Sequence, residues 1–241
     1  MKYGILADIH GNLEALSACL GYLRGRVQAY LILGDIVGYG PFPNECIETI
    51  QNIENSAEKT VIAGNHDLAS IGLIEAGLFN INARDSLLWT KEKLTKENKE
   101  YISGLRPRVD LPVFTMAHGS PRNPIDEYLL HEIEAEENLS YFDTNLCFVG
   151  HTHIPFFYCS KSKIMKAGVP FEINRKEKTI INPGAVGQPR DKDARAAFAV
   201  YDDKDSTVTI IRLPYNITKT QEAMHKNKMP AGLIERLAIG I

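Results

Sequence analysis

Histidines and carboxylates in this chain gather in short clusters, and each cluster follows an apolar run. "YGILADIHG" carries Asp8 and His10, "AYLILGD" ends in Asp35, and "TVIAGNHD" ends in Asn65, His66 and Asp67. "VDLPVFTMAHGS" carries His118, and "NLCFVGHTH" ends in His151 and His153. Imidazole, carboxylate and amide groups ligate divalent metals, and the first two also move protons. A single Asp or His at such a place is ordinarily a turn or a cap. Five clusters behind five strand candidates imply more, because ligands of open α/β sheets bind in the crevice beyond the carboxyl ends of the strands. Residues i and i+2 of an extended segment point to one side. Asp8 with His10, and His151 with His153, are therefore each expected to aim two donors at one place.

The donor types narrow the chemistry. Asp8, His10, Asp35, Asn65, His118, His151 and His153 offer imidazole nitrogen and oxygen, with no thiolate among them. A closed structural zinc site takes four ligands, commonly thiolates. The larger set suits two ions sharing a carboxylate, and its mixed nitrogen and oxygen character favours Mn, Fe, Ni, Co or catalytic Zn, with Mn or Fe preferred. Two ions about 3.5–4 Å apart clamp the attacking and leaving oxygens of a phosphoryl centre.

The elements that must position these residues alternate between strand and helix. Strands are predicted at Tyr3–Asp8, Ala29–Asp35 and Thr60–Asp67. Helices are predicted at Asn12–Gly25, with Asn12 as N-cap, and at Pro43–Ile53, with proline in the first turn. Such alternation implies parallel pairing with crossover helices. Residues 68–105 read as two helices laid over the core, with Phe79 and Trp89 facing inward; a role as a lid over a substrate cleft is the alternative. Strands resume at Val109–Ser120 and "NLCFVG". Short strands and turns follow in "FFYCS", "KIMKAG" and "FEINRKEKTIINPG", and the "DDKDS" turn joins a hairpin. The last stretch is helical with a break at Pro230. A single domain over 1–241 is expected, with two sheets and helices outside both.

Composition excludes several classes. A net charge of −3 offers no nucleic-acid-binding surface, and no apolar run approaches the ~20 residues of a membrane span. The N-terminal apolar stretch is too short for a signal-peptide core. Cys19, Cys46, Cys147 and Cys159 form no Cys-x-x-Cys pair and read as reduced core thiols of a cytoplasmic protein. His131 and His225 lie on polar helical stretches and read as solvated surface.

The ordered blocks Asp-x-His, Gly-Asp, Gly-Asn-His-Asp, His-Gly and Gly-His-x-His resemble the calcineurin-like metallophosphoesterase superfamily, over Asp8 to His153. "INPGAVGQPRDKDARAAFAVYD" is similar to a segment of its small prokaryotic branch of phosphodiesterases and diadenosine tetraphosphate hydrolase-like proteins. The resemblance implies a four-layer α-β-β-α sandwich of two mixed sheets. It assigns Asp8, His10, Asp35 and His153 to one ion, and Asp35, Asn65, His118 and His151 to the other, with Asp35 bridging. His66 would act on the leaving oxygen while a hydroxide between the ions attacks phosphorus in line. Asp67 would cap the following helix or buttress His66. The substrate would be a small phosphodiester or phosphoanhydride, with dinucleoside polyphosphates among the candidates.

Two features depart from the larger relatives. Protein phosphatases of the superfamily carry Asp-Arg-Gly after the second block, where this chain has Gly38 and Tyr39 in "GDIVGYG"; Ala63 precedes Gly64 where an arginine is frequent. A guanidinium grips phosphate in a forked manner that tyrosine does not match. Phosphomonoesterase or protein phosphatase activity is thus the lesser alternative, and a non-catalytic metal-binding module is another. Arg84, Arg122, Arg190 and Arg195 could supply the missing grip, with Tyr39 beside them; pairing of these arginines with Asp191 or Asp193 is the structural alternative.

Overall fold

Ile5 and Leu6 are neighbours on the first strand, yet they enter two different cores. Side chains alternate across a strand, so a strand apolar at consecutive positions must be covered on both faces. That requirement generates the layers. In the computed structural model, which describes residues 1–53, 57–159, 161–163 and 167–241, two mixed six-stranded sheets lie face to face with helices on the outside.

The first sheet contains β1 (Lys2–Leu6), β2 (Ala29–Ile32), β3 (Glu58–Val61), β9 (Phe171–Glu172), β11 (Ala196–Asp202) and β12 (Thr207–Leu213), in the order β3-β2-β1-β11-β12-β9. β1, β2 and β3 are parallel, and the remaining pairs are antiparallel. The second contains β4 (Arg108–Asp110), β5 (Thr115–Ala117), β6 (Leu146–Phe148), β7 (Phe156–Cys159), β8 (Lys161–Lys163) and β10 (Thr179–Asn182), in the order β4-β5-β6-β10-β7-β8. Here β5, β6 and β10 are the parallel centre. Ile5, Leu31, Leu33, Phe114, Met116, Phe148, Phe157 and Ile181 fill the space between the sheets.

Helices α1 (Leu13–Leu23) and α2 (Pro43–Gln51) cover the first sheet through Leu16, Cys19, Leu23, Ile47 and Ile50. Asn12 caps α1, its Oδ1 accepting from the Ala15 N–H at 3.2 Å, and Pro43 opens α2. α3 (Asn65–Ser70), α4 (Ile81–Lys93) and α5 (Lys96–Ser103) form the stretch expected as a cover, with α4 capped by Asn80 and α5 by Thr95. α6 (Glu132–Asn138) lies by the second sheet, where Phe142, Cys147 and Ile180 form a smaller core. α7 (Ile217–Lys226), α8 (Ala231–Glu235) and the 3-10 turn after it (Arg236–Ala238) return Met224, Leu233 and Leu237 against Tyr39. Pro230 is the N-cap of α8. The "DDKDS" turn joins β11 to β12.

Two expectations need correction. Thr60–Asp67 is not one strand: β3 ends at Val61, and Asn65, His66 and Asp67 form the first turn of α3. The Asp67 carboxylate accepts the Gly64 N–H at 2.9 Å, which fixes that helix start. Val109–Ser120 is not one strand either. Pro112 has no N–H for a ladder, and the chain turns there, so β4 and β5 pair as a hairpin. Part of "KIMKAG", residues 164–166, lies outside the described residues. The four cysteines are free and buried, as expected. No helix among the described residues is long and apolar enough to cross a membrane.

Candidate metal centre

The donor clusters sit on the loops just past the strands, and their backbone is not extended. Asp8, His10, Asp35, His151 and His153 have φ angles of 54, 48, 51, 67 and 61°. The left-handed region is unfavourable for side chains of this size and persists only where surrounding structure imposes it, at a cost of about 1–3 kcal/mol per residue. The alternation expected from extended segments is therefore not what aims these donors. Cross-stitching between loops does it instead. Asp8 N–H donates to Gly34 O (3.2 Å), His10 N–H to Asp35 O (2.9 Å), Gly187 N–H to Asp8 O (2.9 Å) and Gly150 N–H to His118 O (2.8 Å). These loops touch so closely that a Cβ on Gly40 would lie 2.1 Å from the His10 carbonyl oxygen.

The side chains converge in two groups that share one carboxylate. Ligand atoms of Asp8, His10, Asp35 and His153 all lie within 4.8 Å of one another, as do those of Asp35, His118 and His151, and every residue is buried. Asp35 Oδ2 is 3.6 Å from His10 Nε2 and 3.4 Å from His118 Nε2, so one oxygen faces both groups. Asp35 Oδ1 accepts the His66 backbone N–H at 2.9 Å. Asp8 lies 3.6 Å from His153 Nε2 and accepts the His151 backbone N–H at 3.1 Å. Asn65 Oδ1 is 3.3 Å from His118 Nε2, which brings the seventh donor to the second group.

Backbone carbonyls orient three of the rings. The Nδ1 atoms of His10, His118 and His153 meet Val37 O (3.1 Å), Leu33 O (2.8 Å) and Gln188 O (2.6 Å). A carbonyl only accepts, so in a neutral ring the hydrogen sits on Nδ1 and Nε2 keeps its lone pair. His10 Nε2 and His153 Nε2 then face one another at 3.0 Å. His151 Nε2 is buried with no hydrogen-bond partner. Convergent lone pairs and an orphaned imidazole nitrogen, collected around carboxylate oxygens, fit divalent cations.

The electrostatics agree. Burial lowers His10 and His153 well below the ordinary imidazole range, His151 to about 3 and His66 to about 4. These rings are neutral at physiological pH, as ligation requires. His118 differs: burial opposes its charge, but Asp35 and Asp8 outweigh burial and raise it to about 9. Burial pushes Asp8 up to about 7, with Asp35 adding to the effect. For Asp35, burial is overcome by His118, His66 and His10, which hold it well below the usual carboxylate range.

A cavity of about 370 Å³ opens beside the centre, lined by Tyr39, Asn65, His66, Phe79, Tyr128 and His151 among others. His66 stands in an aromatic setting, its ring centroid 4.4 Å from Tyr39 and 5.0 Å from Phe79. Tyr128 lies over His151 at 3.9 Å. Of the arginines singled out, Arg190 reaches the site: its Nη2 is 3.5 Å from the Tyr39 hydroxyl. Arg122 is bound to Glu127 and Glu137, Arg195 to Asp193 and Arg84 to Asp85. Trp89 packs with the Tyr39–Met224 cluster, while Phe79 both joins that cluster and lines the cavity. His131 and His225 are exposed. Asp67 holds two backbone N–H groups, of Gly64 and, at 3.0 Å, of Val37, so it ties α3 to the loop whose carbonyl orients His10.

Sequence reasoning missed Tyr128, Gln188 and the three orienting carbonyls. Carbonyls carry no residue-type signal. Tyr128 sits in a polar stretch without periodicity, and Gln188 is an unremarked polar residue until the loop folds it under His153.

A model of the calcineurin-like phosphoesterase superfamily domain matches residues 1–206. An uncharacterized protein of Methanocaldococcus jannaschii is 36% identical over 242 residues, covering 98% of this chain and 97% of its own. The crystal structure of a metallophosphoesterase from Sphaerobacter thermophilus superposes with a TM-score of 0.89 at 40% identity, covering 100% of this chain and 99% of that one. A hypothetical protein from Pyrococcus horikoshii shares the fold, with a TM-score of 0.83, 24% identity and coverage of 100% and 98%.

Proposed function

The chain belongs to the calcineurin-like phosphoesterase superfamily, and on that premise we propose that it hydrolyses a small phosphodiester or phosphoanhydride at a two-metal centre. It is a phosphoric ester hydrolase. The observation that carries this reading is the position of Asp35 Oδ2, 3.6 Å from His10 Nε2 and 3.4 Å from His118 Nε2, as the member shared by both donor groups. Asp8, His10, Asp35 and His153 would hold one divalent ion, and Asp35, Asn65, His118 and His151 the other. Mn or Fe suits this nitrogen and oxygen set best. Bound there, divalent ions supply Lewis acidity and ionise water near neutral pH.

The chain's own groups do the rest. Asp8 and Asp35 supply negative charge at the centre of the cluster. The carbonyls of Val37, Leu33 and Gln188 fix the tautomers of three ligand rings. His66, neutral because of burial, would offer a ring N–H as a hydrogen-bond donor to the leaving oxygen, which keeps the electron pair of its broken bond to phosphorus while the bond from water oxygen forms and the water's proton passes to solvent. Phe79 and Tyr128 line the cavity that takes the organic arm of the substrate, and a nucleoside would suit their aromatic faces. Residues 1–241 read as one domain, with 68–105 forming part of the cleft wall. A cytoplasmic location fits the four free, buried thiols.

The test is hydrolysis of bis-p-nitrophenyl phosphate by chelator-treated protein resupplied with Mn²⁺, Fe²⁺, Co²⁺, Ni²⁺ or Zn²⁺ in turn. Turnover restored by at least one ion is expected. Metal-replete protein inert toward diesters and anhydrides alike would overturn the reading.

A further inference from the structure

Several arginines of this fold are neutralised by acidic neighbours. Arg108 pairs with Asp110, Arg122 with Glu127 and Glu137, Arg175 with Asp203, Arg195 with Asp193, and Arg212 with Asp191. Arg190 pairs with no carboxylate among the described residues. Its Nη2 donates to Gln188 Oε1 at 3.0 Å and approaches the Tyr39 hydroxyl at 3.5 Å, and its Nε is buried with no partner. A guanidinium with unspent donors, standing beside a metal-type cluster, is costly unless something anionic visits it.

The loop that carries Arg190 is locked to the centre. Gly187 N–H donates to Asp8 O, and a Cβ on Gly187 would lie 1.8 Å from Ile9 O, so this contact tolerates no side chain. Gln188 uses its carbonyl to orient His153 and its side chain to hold Arg190. The Arg190 N–H donates to His153 O at 3.3 Å. One turn of chain thus fixes a ligand ring and a guanidinium relative to each other.

We propose that Arg190 grips a non-bridging oxygen of the reacting phosphoryl group, supplying from the loop after β10 the forked contact that this chain lacks at Gly38 and Tyr39. The assignment rests on the hydrolase reading above. Gln188 and Tyr39 are positioning residues for the guanidinium. One such fork beside two ions matches a phosphoryl group with a single negative charge in the ground state, whose oxygens gain charge as the transition state forms.

The experiment uses the full chain loaded with Mn²⁺ and reads two quantities: inorganic phosphate affinity by calorimetry, and kcat/KM for bis-p-nitrophenyl phosphate. Arg190→Ala is expected to keep its metal and its melting temperature, to bind phosphate about tenfold more weakly or worse, and to lose roughly 10²–10³-fold in turnover. Added guanidinium should restore part of that loss, and Arg190→Lys should fall between. Arg122→Ala, whose guanidinium is committed to glutamates, is the control and should bind phosphate as the parent does. A folded, metal-replete Arg190→Ala protein with parental phosphate affinity and turnover overturns the assignment alone. A parent protein without metal-dependent turnover fails the hydrolase reading, and the assignment falls with it. Lost phosphate affinity accompanied by lost metal would show a structural prop, and also overturns it.

Discussion

His10 and His153 are 143 residues apart, and their Nε2 atoms face each other at 3.0 Å inside the protein. Each ring is turned by a carbonyl at Nδ1, so two lone pairs meet where nothing but a cation or a proton relieves them. Burial keeps both rings from charging.

Metal should therefore stabilise the fold. At a hundredfold excess over its Kd, each ion contributes about 2.7 kcal/mol. For a chain of this length that is a rise in Tm of roughly 5–10 °C. Differential scanning calorimetry of chelated and resupplied protein checks it. A Tm indifferent to every one of Mn²⁺, Fe²⁺, Co²⁺, Ni²⁺ and Zn²⁺ would contradict the centre.

Ligation and chemistry should separate by residue. Asp35→Asn removes the carboxylate that faces both donor groups, and bound metal should drop with activity. His66→Ala should keep its metal and lose roughly 10²–10³-fold in kcat, because His66 meets Asp35 through its backbone N–H rather than its ring. Elemental analysis beside diester turnover decides. An active, metal-replete Asp35→Asn protein would remove Asp35 from the bridging position.

Gly64→Ala should disable the centre without replacing any donor residue. A Cβ there would lie 2.0 Å from Asp35 Oδ1 and 2.5 Å from Asp35 N, so the carboxylate must move. A stability loss of about 1–3 kcal/mol is expected, together with weaker metal binding. Gly21→Ala is the contrast: Gly21 is inside α1 with nothing within 4 Å of the added carbon, and it should gain about 0.5–1 kcal/mol. Urea denaturation measures both. Equal effects at the two sites would show that contact with Asp35 is not what matters at Gly64.

The residues that the fold brings together as candidate donors were legible because residue type and order carry them: Asp8, His10, Asp35, Asn65, His118, His151 and His153 can be read off the sequence. The layers were legible from apolar runs separated by helical periods. How the donors are aimed was not. Extended geometry would direct Asp8 and His10 to one side by alternation, whereas both residues are left-handed and held by hydrogen bonds from other loops. That strain is a product of tertiary contacts and leaves no trace in local propensity. Gln188 and Tyr128 were invisible for a related reason: a polar residue on a loop acquires its role only when the loop closes on its partner. Among the arginines, sequence could not say which ones have acids beside them, and the coordinates separate Arg190 from Arg122 and Arg195 on that point.

Metal affinity should rise with pH. In the metal-free fold, Asp8 titrates at about 7 and His118 at about 9, the first raised by burial and the second by the Asp35 and Asp8 carboxylates against the opposing effect of burial. A cation takes the deprotonated forms, so below these values protons compete for the same atoms. As pH climbs through about 7 and towards about 9 the competition fades, and affinity should rise by up to roughly tenfold per pH unit for each proton displaced. Above about 9 it should level off. Chelator-competition titrations between pH 6 and 9.5 measure the slope, and a flat profile would mean that neither group ligates.

The centre should prefer diesters and anhydrides to phosphoprotein. A phosphomonoester presents a dianionic phosphate, which relatives with Asp-Arg-Gly after the second block can grip with an extra arginine. Here Gly38 and Tyr39 occupy that place, and a Cβ on Gly38 would meet His66 Nδ1 at 2.5 Å, so no larger side chain fits beside His66. A diester or an anhydride linkage places less charge on the reacting phosphorus, which two ions and one guanidinium can balance. The cavity beside His66, about 370 Å³ with Tyr39, Phe79 and Tyr128 in its wall, favours a substrate whose ester arm is flat and aromatic. Phosphoserine offers only a peptide chain to that wall. With Mn²⁺ present, kcat/KM is expected to be highest for diadenosine tetraphosphate or bis-p-nitrophenyl phosphate, and lower by about tenfold or more for a phosphoserine peptide. That ratio corresponds to roughly 1.4 kcal/mol of transition-state binding, less than one charge-assisted hydrogen bond commonly contributes. Preference for the phosphopeptide would mean that a second guanidinium reaches the phosphate from elsewhere, and the consequence drawn from Gly38 and Tyr39 would be wrong.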